Sequence, residues 1–198
     1  MKAEKEANEK LLYKLIEEMN GELKKSRFLH SLGVCYTAAN LAQLYNCDVT
    51  KASIAGILHD CAKMYSDDEL IKICIKNNIP INQYEKDNGY LLHAKVGSFI
   101  AQTKYSIDDE EILNAIKWHT TGTTNMTLLD KIIFISDYIE PSRTKQPSLK
   151  EIRELAFIST NINLPLLKIM DDTINYLKSN GKVIDYETLK AYEYYKQL

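Results

Sequence analysis

Apolar residues recur along the chain at intervals of three and four positions, and strand-like alternation is nearly absent. This spacing lines apolar side chains along one face of an α-helix, so it predicts helices throughout. Capping residues, prolines and Asn-Gly pairs mark where the helices begin and end. The predicted helices cover 11–19, about 22–45, about 51–63, a short helix that opens at 66–69 and that Pro80 closes, one from about 90 with apolar residues to 100, one capped at 106–109 that runs through Trp118, 128–138, one that opens at Ser148, 163–180 and 185–198, with residues 81–89 predicted as loop.

This pattern predicts an all-α fold of roughly eight to ten helices. No low-complexity linker or internal repeat divides the 198 residues, and that length fits one domain with a full core. We therefore expect a single domain over 1–198, with a core at about 22–140 and C-terminal helices at 148–198 packed on it. Two capping boxes are expected, at Ser66 and at Ser148, and Thr127 and Asp185 are expected helix caps.

Composition adds limits on partners and location. A net charge of −2 does not provide the excess of positive charge that is typical of nucleic-acid-binding proteins. No apolar run is long enough to span a bilayer. The four cysteines lie more than ten residues apart and form no CxxC motif, which is typical of reduced core thiols. The charged N-terminus lacks the apolar segment of a secretory signal. We expect a cytoplasmic protein that binds neither nucleic acid nor membrane.

The dipeptide His59-Asp60 ends an apolar helix, where a buried carboxylate requires a cation or hydrogen-bond donor. The only other histidines are His30, His93 and His119, and each lies among apolar neighbours. A single histidine in such a place is more often a hydrogen-bonded core residue than a ligand. Asp137, at the end of another apolar helix, favours a shared metal site. Imidazole and carboxylate donors without thiolate suit Fe, Mn, Co or Zn.

The phrases around these residues resemble one known family. They are LHAKVG at 92–97, AIKWHTTG at 115–122 and DKIIFISDYIEPSR at 130–143, in the order His, His-Asp, His, His, Asp. This order is similar to the HD-domain metal-dependent phosphohydrolase superfamily, and the phrases resemble its YqeK branch of symmetrical diadenosine tetraphosphate hydrolases. The resemblance covers nearly the whole chain, and it departs from the family pattern at residues 144–147.

The resemblance implies a metal centre and a division of roles within it. The first ion would be held by His30, His59, Asp60 and Asp137. A second ion, where present, would be held by Asp60, His93 and His119, so that Asp60 bridges the two. Asp60, His93, His119 and Lys63 would be the catalytic residues. The implied cofactor is one or two divalent transition-metal ions, iron first, with Mn, Co and Zn as alternatives.

Phosphate recognition requires cations and donors as well. Lys63 lies one turn beyond Asp60, Arg27 lies one turn before His30, and Arg143 follows the last motif, so these three are candidate phosphate contacts. Their alternative is a role as solvated surface charges. The hydroxyls of Thr120 and Thr121 are further candidates, with helix capping as the alternative. Three tyrosines near the C-terminus could stack an adenine or pack in the core: Tyr176, Tyr186 and Tyr192.

The resemblance implies a metal-dependent phosphoric-anhydride hydrolase that cuts diadenosine tetraphosphate symmetrically into two ADP. One alternative keeps the fold but acts on mononucleotides or cyclic nucleotides. Another is a non-enzymatic nucleotide-binding or assembly factor with a structural metal. The sequence leaves open the metal, the base preference, the polyphosphate length and a homodimeric state.

Overall fold

The computed structural model describes the backbone of residues 2–198 and the side chains from residue 9 onward. Over that range the fold is all-α, as predicted, with eleven α-helices, one more than the upper estimate. The helices are α1 (Lys2–Glu22), α2 (Lys25–Leu44), α3 (Val49–Leu58), α4 (Asp67–Lys76), α5 (Gln83–Asp87), α6 (His93–Thr103), α7 (Glu110–Trp118), α8 (Leu128–Ile139), α9 (Leu149–Ile158), α10 (Asn163–Ser179) and α11 (Tyr186–Tyr195), with a 3-10 helix at Gly89–Leu92 before α6.

Helices α2 and α3 share the most extensive contact among the described helices. Every residue from Ala52 to Leu58 is buried, so α3 has no solvent face over its last seven positions. A Cβ atom placed on Gly56 would lie 2.8 Å from the Cα of Cys35. The two backbones therefore approach at a distance that a larger residue at position 56 would prevent.

Helix α8 lies at the centre of the molecule. Ile132, Ile133 and Ile135 are fully buried, and α8 contacts α2, α3, α7, α9 and α10. One hydrophobic core extends from Leu15 to Tyr195, so the C-terminal helices contribute to the same core as the first helices. This arrangement is what a single domain requires, although the predicted division at residues 140 and 148 stays a prediction.

Most predicted caps are present. Ser66 and Thr127 each form a complete capping box with the acidic residue three positions later, and Asp185 accepts a hydrogen bond from the backbone of α11. The capping box predicted at Ser148 is wrong. Ser148 has a φ of 49° and makes no capping hydrogen bond, because its left-handed backbone turns the side chain away from the first turn of α9.

Three predicted boundaries also differ from the structure. Helix α1 continues through Asn20 and Gly21 to Glu22, because packing overrides the local stop signal. The predicted loop at 81–89 contains α5, which Asn82 caps together with Glu85. Helix α3 ends at Leu58, five residues before its predicted end, and this difference affects the site described next. No helix in the described part of the chain combines the length and apolar character needed to cross a membrane.

Candidate metal centre

Six side chains from five separate parts of the fold converge at one point, and we refer to them as the His/Asp cluster. They are His30 from α2, His59 and Asp60 from the turn after α3, His93 from the start of α6, His119 from the end of α7 and Asp137 from α8. All but Asp137, which is partly exposed, are buried. Among the described side chains, every group of three residues able to hold a metal is drawn from this cluster.

The early end of α3 determines how Asp60 is presented. After Leu58 the chain continues in tight turns, with the Cys61 amide bonded to the Leu58 carbonyl and the Lys63 amide bonded to the Asp60 carbonyl. The helix predicted at about 51–63 would have included His59 and Asp60; instead both lie in these turns. The turn places the Asp60 carboxylate between two pairs of histidines rather than beside a helix.

The two oxygens of Asp60 face different histidine pairs. Oδ2 lies 3.7 Å from His30 Nε2 and 3.5 Å from His59 Nε2. Oδ1 lies 3.3 Å from His93 Nε2 and 3.6 Å from His119 Nε2, and no described residue donates a hydrogen bond to it. A carboxylate with this placement has the geometry of a bridge between two cation sites.

Asp137 lies beside the first histidine pair. Its Oδ1 is 3.0 Å from His30 Nε2 and 3.9 Å from His59 Nε2, and the two Nε2 atoms are 3.3 Å apart. Ligands about 2.0–2.2 Å from one ion are separated by distances of this size. The structure thus brings all the residues expected at the two sites into one cluster, in which His119 also lies within ligand distance of His59 and Asp137.

The hydrogen bonds at Nδ1 determine which nitrogen faces the cluster. In His59, His93 and His119, Nδ1 lies 2.8, 2.5 and 2.7 Å from the carbonyl oxygen of the residue three positions earlier. Because a carbonyl only accepts, Nδ1 carries the proton and Nε2 presents a lone pair. His93 Nε2 and His119 Nε2 are 3.1 Å apart, and two lone pairs at that distance repel unless a cation lies near both. The donor set therefore fits a metal ion.

Charge states inside the cluster support the same conclusion. Burial, with a further effect of the nearby His119, lowers the pKa of His93 to about 3, so this ring is neutral at physiological pH. Burial on its own raises the pKa of Asp60, but the interactions with His59, His119 and His93 outweigh it and hold that pKa well below its usual range. His93 thus offers a neutral imidazole and Asp60 an ionised carboxylate, the forms that bind metals.

Glu140 forms a hydrogen bond with His30, the remaining histidine of the cluster. This carboxylate is 1% exposed, and its Oε1 lies 3.0 Å from His30 Nδ1, while Oε2 accepts a 2.7 Å hydrogen bond from the Ser142 amide. His30 is thus the one histidine of the cluster whose Nδ1 faces a carboxylate rather than a carbonyl. A Cβ on Gly33 would lie 2.5 Å from Glu140 Oε2, so the small residue at 33 makes room for this carboxylate.

Arginines from two elements lie against the cluster carboxylates. Arg27 Nη1 is 2.7 Å from Asp60 Oδ2, and Arg143 Nη2 is 2.6 Å from Asp137 Oδ1. Arg143 Nε also donates to the Asp137 carbonyl at 2.9 Å, and Arg153 of α9 donates to the Arg143 carbonyl. Both arginines are therefore held in the site rather than free in solvent.

Lys63 is partly buried and makes no ion pair within 4 Å among the described side chains. Burial lowers the pKa of its ammonium, and the nearby Asp60 carboxylate partly opposes that shift. The ammonium therefore lies close to the cluster without a carboxylate bonded to it.

The two threonines differ from each other. Thr120 Oγ1 lies 3.2 Å from His93 Nε2 and 3.1 Å from His119 Nε2, so its hydroxyl is at the second histidine pair. Thr121 instead donates to the carbonyl of Gly122.

The tyrosines were expected either to stack a base or to pack in the core. Tyr176 is 54% exposed and Tyr186 is 70% exposed, so core packing is wrong for both. Tyr192 donates to Asp171 and packs partly against the core.

No role was predicted for Glu140 or Ser142, although both lie inside the phrase at 130–143. The available signal was spacing. Glu140 follows Asp137 by three positions at the end of the same apolar helix, where a second acidic side chain also requires a partner.

The HD domain family model matches residues 27–142, which contain the whole cluster. A symmetrical bis(5'-nucleosyl)-tetraphosphatase from Bacillus subtilis is 36% identical over 87% of this chain and 91% of its own length. One with the same description from Staphylococcus aureus is 36% identical over 88% of this chain and 89% of its own.

A solved structure is similar throughout. The crystal structure of a predicted HD superfamily hydrolase involved in NAD metabolism, from Clostridium acetobutylicum, matches with a TM-score of 0.88 and 40% identity over 93% of this chain and 96% of the other. With the family model covering more than half of the chain and relatives matching along most of it, the protein described above belongs to the HD domain family.

Proposed function

We propose that this protein hydrolyses diadenosine tetraphosphate symmetrically, releasing two molecules of ADP. The observation that carries the proposal is the placement of Asp60 between two histidine pairs, in a chain similar to symmetrical tetraphosphatases over most of its length. The reaction adds water across the central phosphoric anhydride, so that one oxygen from water remains on one ADP and the bridging oxygen leaves with the other.

We assign one ion to His30, His59, Asp60 and Asp137, and a second ion to Asp60, His93 and His119. When bound, divalent ions supply Lewis acidity, which activates water near neutral pH and neutralises phosphate charge. The protein's contribution is to hold six ligands in place and, through the hydrogen bonds at each Nδ1, to keep every Nε2 directed at the cluster.

Three cations supply the phosphate contacts in this proposal. Arg27 and Arg143 lie at opposite carboxylates of the cluster, and each side chain is about one third exposed, which leaves other guanidinium N–H groups for phosphate oxygens. Lys63 offers an ammonium with no carboxylate within 4 Å among the side chains from residue 9 onward. ADP leaves as an anion, so its departure does not require a dedicated general acid. Thr120 places a hydroxyl at the second histidine pair, within reach of a phosphate held there.

For the identity of the ion we propose iron, because imidazole and carboxylate ligands without thiolate suit it; Mn, Co and Zn suit the same donors. Metal analysis of protein purified without air decides among them. Four unpaired cysteines support a reducing, cytoplasmic location.

Substrate competition tests the proposed reaction. Metal-loaded protein is incubated with equal concentrations of diadenosine tetraphosphate, AMP, ATP and cyclic AMP, and each loss is followed by ion-exchange chromatography. We expect loss of the tetraphosphate alone. Faster loss of a mononucleotide or of cyclic AMP would support the nucleotidase or phosphodiesterase alternative. No turnover of any substrate by fully metal-loaded protein would support a structural metal.

A matched pair of variants links turnover to the cluster. Asp137→Asn removes a cluster carboxylate, whereas Asp130→Asn alters a buried capping carboxylate on the same helix α8. We expect Asp137→Asn to lose more than about 100-fold in turnover and Asp130→Asn to lose stability but little activity per folded molecule. Equal activity in the two folded variants would contradict the assignment.

A further inference from the structure

Two neighbouring clefts lead away from the His/Asp cluster. The inner cleft, of about 270 Å³, begins at His30 and is lined by Arg27, Arg143, Lys145 and Gln146 among others. It is polar and carries three cationic side chains. Its outer end is formed by Lys145 and Gln146, and both residues also line the next cleft.

The outer cleft, of about 300 Å³, lies between α8, α10 and the segment 145–147. Its walls are largely apolar. Tyr138 comes from α8, Pro147 from the connecting segment and the exposed Tyr176 from α10. The Tyr138 hydroxyl donates a 3.0 Å hydrogen bond to the Pro147 carbonyl, which fixes that ring against the segment. Flat aromatic walls of this kind bind the faces of planar rings.

One carboxylate in the outer cleft lacks a donor. Asp172 is 9% exposed, and its Oδ1 is 3.1 Å from the Lys168 ammonium. Its Oδ2 has no hydrogen-bond partner among the described residues. A buried carboxylate oxygen without a donor is unfavourable. Asp172 lines the cleft, so a turn of its carboxyl group would bring this oxygen, which is closed to solvent in the unliganded protein, to an N–H or O–H group of a ligand.

We propose that the outer cleft is a nucleoside subsite, in which a base stacks between Tyr138 and Tyr176 and donates a hydrogen bond to Asp172. The inference rests on the proposed function, because the inner cleft then carries the phosphates of one ADP half from the cluster to the nucleoside. The donor is either the exocyclic amine of adenine or a ribose hydroxyl; both satisfy the same carboxylate oxygen.

Direct binding separates this subsite from catalysis. ADP and, as a probe without a nucleoside, inorganic pyrophosphate are titrated calorimetrically into Mn²⁺-loaded protein. Tyr176→Ala removes one wall at an exposed position, and Asp172→Asn changes the acceptor. Tyr13→Ala, at a 70% exposed position on α1, is the control. Thermal unfolding of each variant checks that it is folded.

We expect Tyr176→Ala to weaken ADP binding by at least about 5-fold, since base stacking contributes that much or more. Asp172→Asn is expected to weaken it as well, because an amide NH₂ replaces one acceptor oxygen. Pyrophosphate binding stays unchanged in every variant, and Tyr13→Ala binds both probes as the native protein does. Inosine diphosphate lacks the exocyclic amine and 2'-deoxy-ADP lacks the 2'-hydroxyl, so the two analogues identify the donor. The analogue that binds native protein more weakly than ADP does lacks the group that donates to Asp172. In Asp172→Asn, that analogue and ADP are expected to bind equally.

Two results would overturn the subsite. One is unchanged ADP affinity in folded Tyr176→Ala; the other is an equal loss of ADP and pyrophosphate affinity in both cleft variants. Failure of the proposed function gives a different outcome, in which native protein binds ADP through the outer cleft but leaves diadenosine tetraphosphate intact.

Discussion

Glu140→Gln is expected to weaken metal binding although Glu140 belongs to no ligand set. The carboxylate accepts from His30 at Nδ1 and from the Ser142 amide and hydroxyl, so it keeps His30 Nε2 directed at Asp60 and Asp137. A glutamine retains one acceptor but places an NH₂ group against either the amide or the ring. The His30 ring then loses its fixed orientation.

The expected magnitude follows from the position of Glu140. Partners that orient a metal-binding histidine contribute about 10- to 100-fold in metal affinity, which corresponds to about 1.4–2.7 kcal/mol. Gly33→Ala provides an independent route to the same effect. Its Cβ would lie 2.5 Å from Glu140 Oε2 and displace the carboxylate without touching a ligand. We expect Gly33→Ala to lower metal affinity as well, and by a smaller factor if the Glu140 carboxylate rotates away from the added Cβ.

The assay is competition for Mn²⁺ against a chromophoric chelator. The control is Glu85→Gln, which alters another buried glutamate, paired with Lys95 outside the cluster, and is expected to leave Mn²⁺ affinity unchanged. In a His30→Ala background, Glu140→Gln is expected to have no further effect, because its action passes through that ring. Native affinity in folded Glu140→Gln, or an equal loss in the His30→Ala background, would refute the reasoning.

Three further expectations concern stability and thiol chemistry. Gly56→Ala is expected to destabilise the protein by about 1–3 kcal/mol in urea unfolding, since its Cβ would lie 2.8 Å from the backbone of α2. Gly21→Ala, whose Cβ would have no atom within 4 Å, is expected to be neutral or stabilising. Removing metal with a chelator is expected to lower the melting temperature, with re-addition restoring it; a ligand at 100 times its Kd contributes about 2.7 kcal/mol. In native protein we expect Cys47, the one partly exposed thiol, to react first with a disulfide reagent. Cys61 is expected to react only on unfolding, because burial raises its pKa to about 12. Fast reaction of all four thiols would contradict the structure.

Sequence patterns identified the helices because each amphipathic stripe is a local property. Thr127 and Asp185 were recognised as caps for the same reason. Ser148 was not, since its left-handed backbone depends on the path of the chain between α8 and α9. The end of α3 at Leu58 likewise depends on how His59 and Asp60 pack against four other segments, which local propensity does not contain.

The cluster residues were selected from sequence because histidines and aspartates at the ends of apolar helices need partners. The family resemblance already implied their division into two histidine pairs around Asp60; the distances that place one pair at each carboxylate oxygen required coordinates. The sequence also did not reveal that Glu140 contacts His30, 110 positions away, or that Asp172 lacks a donor for one oxygen. Both depend on tertiary placement: the spacing of Glu140 signals that it needs a partner without identifying His30, and Asp172 looks like an ordinary surface acid in the sequence.

Product analysis tests the central claim most directly. Metal-loaded native protein and Asp60→Asn are incubated with diadenosine tetraphosphate, and the nucleotides are separated by anion-exchange chromatography. If Asp60 bridges the two halves of a hydrolytic metal centre, native protein yields ADP as the sole product and folded Asp60→Asn yields none. ATP together with AMP from native protein, or ADP formed at the native rate by Asp60→Asn, would contradict it.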